Sequence, residues 1–280
     1  MGHSIDRRSF LKGAAATAAT VIGSNLAAGT QVPANAAAAQ SGNSSSETHG
    51  AGRPSEKIIA RPGSDFMVDV IKATGIEYIA SNPGSSFRSL QESIVNYGGN
   101  KKPEFLSCTH EESAVAMAQG YAKAAGKPMG MMAHGTVGLQ HAAMAVYNAW
   151  CDRVPVVMFA GNFLDANTRR PGTEWYHCVQ DLAALVRDFT KWDDQPVSLQ
   201  HFAESVMRAY KIATTVPMGP VLITADGDLA EEPVRDEKKL RIPKLTLSIP
   251  PQGDSGAVAE AAKMLAAAEN PVILADRASR

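Results

Sequence analysis

The sequence predicts an α/β protein built on a doubly wound parallel sheet. Two observations carry this. Between Glu104 and Gly161 short apolar runs stop abruptly at polar residues, and each run is followed by a stretch in which apolar and small residues recur at helical spacing. Glu104 to Thr109 reads as a strand, His110-Glu111-Glu112 as an acidic turn, and the residues through Ala124 as a helix. PMGMMAH, TVGLQHAAMAVYNAWC and VPVVMFAG then repeat the order strand, helix, strand. Strands alternating with helices of this length need crossover connections, and hence a parallel sheet.

The flanking elements extend the pattern. SDFMVDVIKATG is a helix opened by Ser64 or Asp65 and closed by Gly75. IEYIAS is the first strand, and NPGSS, Asn82 to Ser86, turns the chain into the helix FRSLQESIVNYG. NFLDANTRRPGTEWYHCVQD is a long loop, expected to be a lid, a subunit contact or a substrate-facing segment. DLAALVRDFTKW runs from helix into strand, SLQHFAESVMRAYKIATT is an amphipathic helix, and GPVLITAD is a strand. The sum is about six parallel strands, enough for one doubly wound domain.

The ends differ from this middle. Residues 1–36 contain DRRSFLK, an alanine-rich apolar run and an AxA sequence at Ala34 to Ala36, the layout of a twin-arginine export signal. Asp6 stands where that pattern usually has Ser or Thr, whereas Arg7, Arg8, Phe10, Leu11 and Lys12 fit. The apolar run is weak for a membrane span. Residues 37–60 are rich in Ser, Gly and Asn and read as a disordered linker. The domain is expected at 61–228, an interdomain linker at 229–254, and at 255–280 one helix and one apolar strand that open a second α/β domain.

Composition narrows the function. The 280 residues carry a formal net charge of −1 and no basic cluster beyond the amino terminus, which argues against a nucleic-acid partner. Three cysteines, Cys108, Cys151 and Cys178, are too few and scattered for a disulfide framework, and without CxxC spacing they suit buried packing positions. His177 beside Cys178 lacks the further ligands a metal site needs, so no metal is expected on this chain's own residues. Ligands of open α/β sheets bind beyond the carboxyl ends of the strands, where His110-Glu111, His134-Gly135 and the NPGSS turn all fall. A carboxylate in a helix's first turn is also explained by the helix dipole alone, and Pro-Gly explains a turn alone.

Taken in order, NPGS, HE, GYAKAAGKP, HGTVG and NAWCDRVPVVMFAG resemble the aminopyrimidine-binding domain of thiamine-diphosphate enzymes of the acetolactate synthase and benzoylformate decarboxylase group. The resemblance covers everything from about Gly63 onward. It implies that Glu111 is the glutamate that hydrogen-bonds the ring nitrogen of the cofactor's aminopyrimidine and so activates its thiazolium carbon, with Glu112 a helix-start acid. It implies that Pro83 and Gly84 contact the cofactor, that Gly135 and Gly138 bring backbone close to the cofactor or a subunit neighbour, and that Ser85 and His134 lie near substrate as in the decarboxylases. His141 stands where the family commonly has Asn.

The same resemblance implies thiamine diphosphate as cofactor and a 2-oxo acid substrate, decarboxylated or joined to a second carbonyl compound. An acetolactate synthase-type transferase and a non-catalytic binding module of this fold are the alternatives. Mg2+ and its ligands are expected beyond residue 280, because ADGD at Ala225 to Asp228 is not the family's magnesium motif. A homodimer or homotetramer would bring the missing half-site. Some members bind FAD in the central domain, of which this chain holds too little to judge. The twin-arginine machinery is the expected export partner and the periplasm the destination.

Overall fold

A computed structural model describes residues 61–275. The signal and first linker, 1–36 and 37–60, lie outside the described residues, as do 276–280. The sheet has six strands: β1 (Tyr78–Ser81), β2 (Glu104–Ser107), β3 (Met129–Ala133), β4 (Val156–Asn162), β5 (Trp192–Asp194) and β6 (Val221–Asp226). All pair in parallel, in the order β2-β1-β3-β4-β6-β5. Every residue of β3, β4 and β6 is buried, which is why these strands read as unbroken apolar runs rather than alternating ones.

Helices cover both faces. In chain order they are α1 (Gly63–Thr74), α2 (Arg88–Glu92), α3 (Glu111–Ala125), α4 (Gly135–Cys151), α5 (Thr173–His177), α6 (Leu199–Thr214), α7 (Gly227–Glu231) and α8 (Ser255–Ala267). One core joins Met67 and Ile71 of α1 and Phe202 and Val206 of α6 to Phe159 and Ile223 of the sheet. The other joins Ala114 and Ala118 of α3 and Leu139, Ala142 and Ala149 of α4 to Met131 and Met158. Alanines on α3 and α4 let these two helices lie close to the sheet and to each other.

Several sequence expectations shift. The first helix begins at Gly63 after Pro62, with no side-chain cap, because Ser64 and Asp65 are both engaged by the Ser93 hydroxyl at 2.7 and 2.8 Å. Its end at Gly75, in the left-handed conformation, is as expected. The stretch before β5 forms two short 3-10 turns, Ala183–Leu185 and Arg187–Phe189, in place of a helix. Strand β2 lies at the sheet edge, so Cys108 just beyond it is half-buried, Cys151 is exposed, and only Cys178 has the buried setting expected of all three.

The domain also extends past Asp228. Gly63 donates its amide to Glu232 at 2.8 Å, Val234 donates to Arg61 at 2.9 Å, and Leu240 and Leu245 pack on the first core. The first part of the expected linker therefore straps the start of α1. Helix α8 forms where a second domain was expected to open, capped by Asp254, which accepts the Ala257 amide at 2.7 Å. No residue of α8 is buried, and the apolar run at 271–275 forms no strand. A strand needs neighbours for its amides, and none of the described residues pairs with this one. Among the described residues no helix is long and apolar enough to cross a membrane.

Candidate functional site

The strand order reverses between β1 and β3. From β1 the chain moves outward to β2, from β3 it moves the other way to β4, and this leaves a crevice at the carboxyl ends of the two neighbours. Ser81 closes the base of the crevice by donating its hydroxyl to the Met132 carbonyl at 2.8 Å. Asn82 and His134 are the next residues on each strand, and Glu111 enters from the start of α3.

Glu111 is the first residue of α3, and its side chain is buried. A carboxylate here faces the unpaired amides and positive end of the helix dipole. Asn82 Nδ2 donates to Glu111 Oε1 at 3.2 Å, and His141 Nδ1 lies 3.7 Å from Oε2. His110 caps the helix, its Nδ1 accepting the Glu112 amide at 3.3 Å, and its ring stacks on His141 with centroids 4.5 Å apart. Glu112, one position on, is exposed. The two acids that were adjacent in sequence are thus separated by burial.

The glycines named from the sequence are sites of close approach. A Cβ on Gly138 would sit 2.9 Å from Glu111 Oε1, and one on Gly84 would sit 2.3 Å from His134 Cβ. Gly135 has φ +43°, and a Cβ there would fall 2.4 Å from the His177 carbonyl oxygen. Bare backbone at these points is what lets Glu111, His134 and His177 converge. Pro83 is exposed on the turn.

His134 is held on both sides. Its Nδ1 accepts the Ser86 amide at 3.3 Å and lies 2.9 Å from the Ser86 hydroxyl, while its Nε2 meets His177 Nδ1 at 2.8 Å. Burial, and then the neighbouring His177, push its pKa below the usual histidine value, against a smaller opposing pull from Glu111. Ser85, the serine expected beside it, is half-buried one position away, and Ser86 makes the contact.

His177 reaches the crevice because its loop is tethered. Glu174, buried, accepts from the Arg170 amide and Nε at 2.5 and 2.6 Å and pairs with Arg88 at 3.4 Å. The long segment expected to be a lid, subunit contact or substrate-facing loop is in part a strap that delivers a side chain to the crevice. Sequence reasoning placed the Asn82–Ser86 turn and the His177 loop near a ligand without giving Asn82, Ser86 or His177 a partner, His177 being weighed singly only as a metal ligand. For Asn82 and Ser86, their place directly after the first strand's carboxyl end was the available signal.

Two strands beyond β3 in the sheet, Asp226 ends β6 beside Asn162 of β4. Burial raises the Asp226 pKa to about 6, partly offset by backbone amides such as that of Leu164 at 3.2 Å. Asn162 Oδ1 and Thr224 Oγ1 are buried without a hydrogen-bond partner. His110, Glu111 and His141 bring three ligand atoms within 4.8 Å of one another. That is looser than the roughly 3.3 Å separation of ligands on a tetrahedral zinc ion.

Comparison with known proteins agrees with this architecture. Residues 61–185 match the family model of the thiamine pyrophosphate enzyme N-terminal TPP binding domain. Residues 4–22 match the twin-arginine translocation pathway signal sequence, which marks the chain for export by that route. The chain is 27% identical over 229 residues to the mitochondrial acetolactate synthase catalytic subunit of Aspergillus candidus, covering 79% of this chain and 32% of the relative. It is 26% identical over 222 residues to acetolactate synthase of Bacillus subtilis, covering 78% and 36%. It thus spans about a third of the length of these curated relatives.

Among solved structures, a putative thiamin diphosphate-dependent enzyme from Mycobacterium smegmatis superposes with a TM-score of 0.64 at 24% identity, over 75% of this chain and 38% of that one. Benzoylformate decarboxylase from Polynucleobacter necessarius gives 0.64 at 22% identity, over 76% and 38%. At these identities the two structures speak to the fold.

Proposed function

Because this chain belongs to the thiamine-diphosphate-dependent enzyme family and residues 61–185 are its N-terminal binding domain, we propose that it supplies the cofactor-activating half of an exported enzyme acting on a 2-oxo acid. The observation that carries this is the buried Glu111 carboxyl at the start of α3, whose Oε1 is steadied by Asn82 and packed so closely against the bare Gly138 that no side chain fits there. Thiamine diphosphate, when bound, supplies a carbon nucleophile for the substrate carbonyl.

The residues present fit that group. A ring nitrogen of an aminopyrimidine needs a carboxyl group as partner, and Glu111 is the buried carboxyl at the switch-point crevice. Its role is to share a proton with that nitrogen; burial and the helix start keep competing water away from the pair. Asn82 fixes which oxygen faces inward. Pro83, Gly84, Gly135 and Gly138 line the approach, and Ser85 and His134 stand toward the substrate. The diphosphate and Mg2+ ligands belong, in this reading, to sequence beyond residue 280.

A second subunit completes the site in this proposal. Met117 of α3 and Val137, Met144 and Tyr147 of α4 are exposed apolar side chains on the helices that start at the crevice. They fit burial in a homodimer or homotetramer. The His134 side chain favours decarboxylation, and the similarity to acetolactate synthases keeps carboligation as the second reading. Delivery by the twin-arginine route suits a periplasmic enzyme exported folded with its cofactor.

The test is the Glu111→Gln variant of the full-length enzyme with pyruvate and benzoylformate. Turnover is expected to fall at least about 100-fold, as on losing a general acid–base group. Glu112→Gln is expected to leave it unchanged. Equal turnover in the Glu111→Gln variant and wild type would make Glu111 a helix-start acid and end this assignment.

A further inference from the structure

Ser86, His134 and His177 form a directed chain of hydrogen bonds. The Ser86 amide is a fixed donor, so its 3.3 Å bond requires a lone pair on His134 Nδ1. The neutral His134 ring therefore carries its proton on Nε2. That proton points at His177 Nδ1, 2.8 Å away, which must accept it. The His177 proton is then on its own Nε2, for which no partner exists among the described residues. The rings meet edge to face at 84°, with centroids 4.6 Å apart.

The second histidine is held as firmly as the first. Its carbonyl accepts the Thr136 hydroxyl at 3.0 Å and lies against the bare α-carbon of Gly135, so the first turn of α4 grips both His134 and the backbone of its partner. The buried Glu174 anchors the short helix that ends in His177. Neither histidine reaches this arrangement by a free side-chain rotation.

We propose that His177 is a positioning residue for the crevice: by accepting the Nε2 proton of His134 it fixes that ring as a neutral tautomer with both nitrogens committed. The consequence, which rests on the function proposed above, is that His134 meets a 2-oxo acid as a fixed polar wall and not as a free base. Protonating His134 would turn Nδ1 into a donor facing the Ser86 amide, and protonating His177 at Nδ1 would set two donors against each other. The charged group acting on His134 from the crevice side is Glu111; the strap that carries His177 holds Glu174 and Arg170, with Arg88 of α2 paired to Glu174.

Ring-nitrogen NMR of the histidines tests this without cofactor or substrate, so its failure is separable from failure of the enzymatic reading. Between about pH 6 and 8, where an ordinary histidine titrates, wild-type His134 is expected to stay neutral with its proton on Nε2. His177→Ala should speed solvent exchange of that proton about fivefold or more, the worth of one hydrogen bond. His177→Asn places an amide oxygen where Nδ1 stood and should restore slow exchange. A His134 proton found on Nδ1, a charged His134 at neutral pH, or unchanged exchange in folded His177→Ala would each overturn the proposal. Should the alanine variant not fold, loss of the slow His134 signal in folded His177→Asn would do the same.

Discussion

The α-carbon of Gly138 faces the carboxylate of Glu111 so closely that an added Cβ would lie 2.9 Å from Oε1, inside van der Waals contact. One turn into α4, the absence of a side chain shapes the space around an acid on α3. Gly138→Ala should therefore displace Glu111 and cut turnover of the full-length enzyme by roughly 10-fold or more, as a misplaced catalytic group does. Melting should barely change, because alanine gains up to about 1 kcal/mol of helix propensity to set against the contact. A variant with wild-type turnover would show that Glu111 moves without cost.

Asp226 predicts a pH dependence of stability. Its folded pKa, raised to about 6 by burial, exceeds the unfolded value. The folded state then binds the extra proton, so this group's contribution is fully present below the unfolded pKa and is lost as pH rises through about 6. Lowered His134 acts oppositely, weakening the fold as pH drops below the usual histidine value. Comparing wild type with Asp226→Asn by denaturant unfolding cancels the histidine term. The variant should gain on wild type by about 1–3 kcal/mol between pH 5 and 7; a constant difference across that range would contradict the assignment.

Removing the strap's anchor should loosen the loop before it unfolds the domain. Glu174→Ala leaves Arg88 and Arg170 without their shared carboxylate, yet both are partly exposed and can turn to water. The expected cost is about 1–3 kcal/mol, below the range for a fully buried pair. Limited proteolysis should cut between residues 163 and 178 faster than in wild type. Cleavage at an unchanged rate would mean that His177 and its contacts hold the loop alone.

Export depends on the arginine pair. Replacing Arg7 and Arg8 together with Lys keeps the charge but removes the twin-arginine signature. A reporter fused to the first 50 residues should then remain in the cytoplasm, read by cell fractionation. Export of the double variant at the wild-type level would contradict this route.

The sequence by itself determined the sheet and the acid. Short apolar runs at Met129–Ala133 and Val156–Gly161, bounded by turn residues and alternating with helix-length stretches, fit central parallel strands, because a half-exposed strand would alternate. A strand that ends at Ser107 and a helix that starts at Glu111, capped by His110, put Glu111 at the sheet's carboxyl edge, where a switch point holds ligands. Periodicity is a local property, and each of these conclusions needs only local information.

Only the tertiary structure decided what surrounds that acid. Asn82 lies 29 residues from Glu111 and Ser86 lies 48 from His134, and His177 arrives from a loop with no periodicity to read. Which of two adjacent serines turns inward, and whether 229–245 leaves the domain or folds back over α1, follow from packing between distant segments. The final helix and apolar run show the same limit from the other side. Their pattern specifies apolar faces, but a strand forms only where another strand meets its amides, and among the described residues none does.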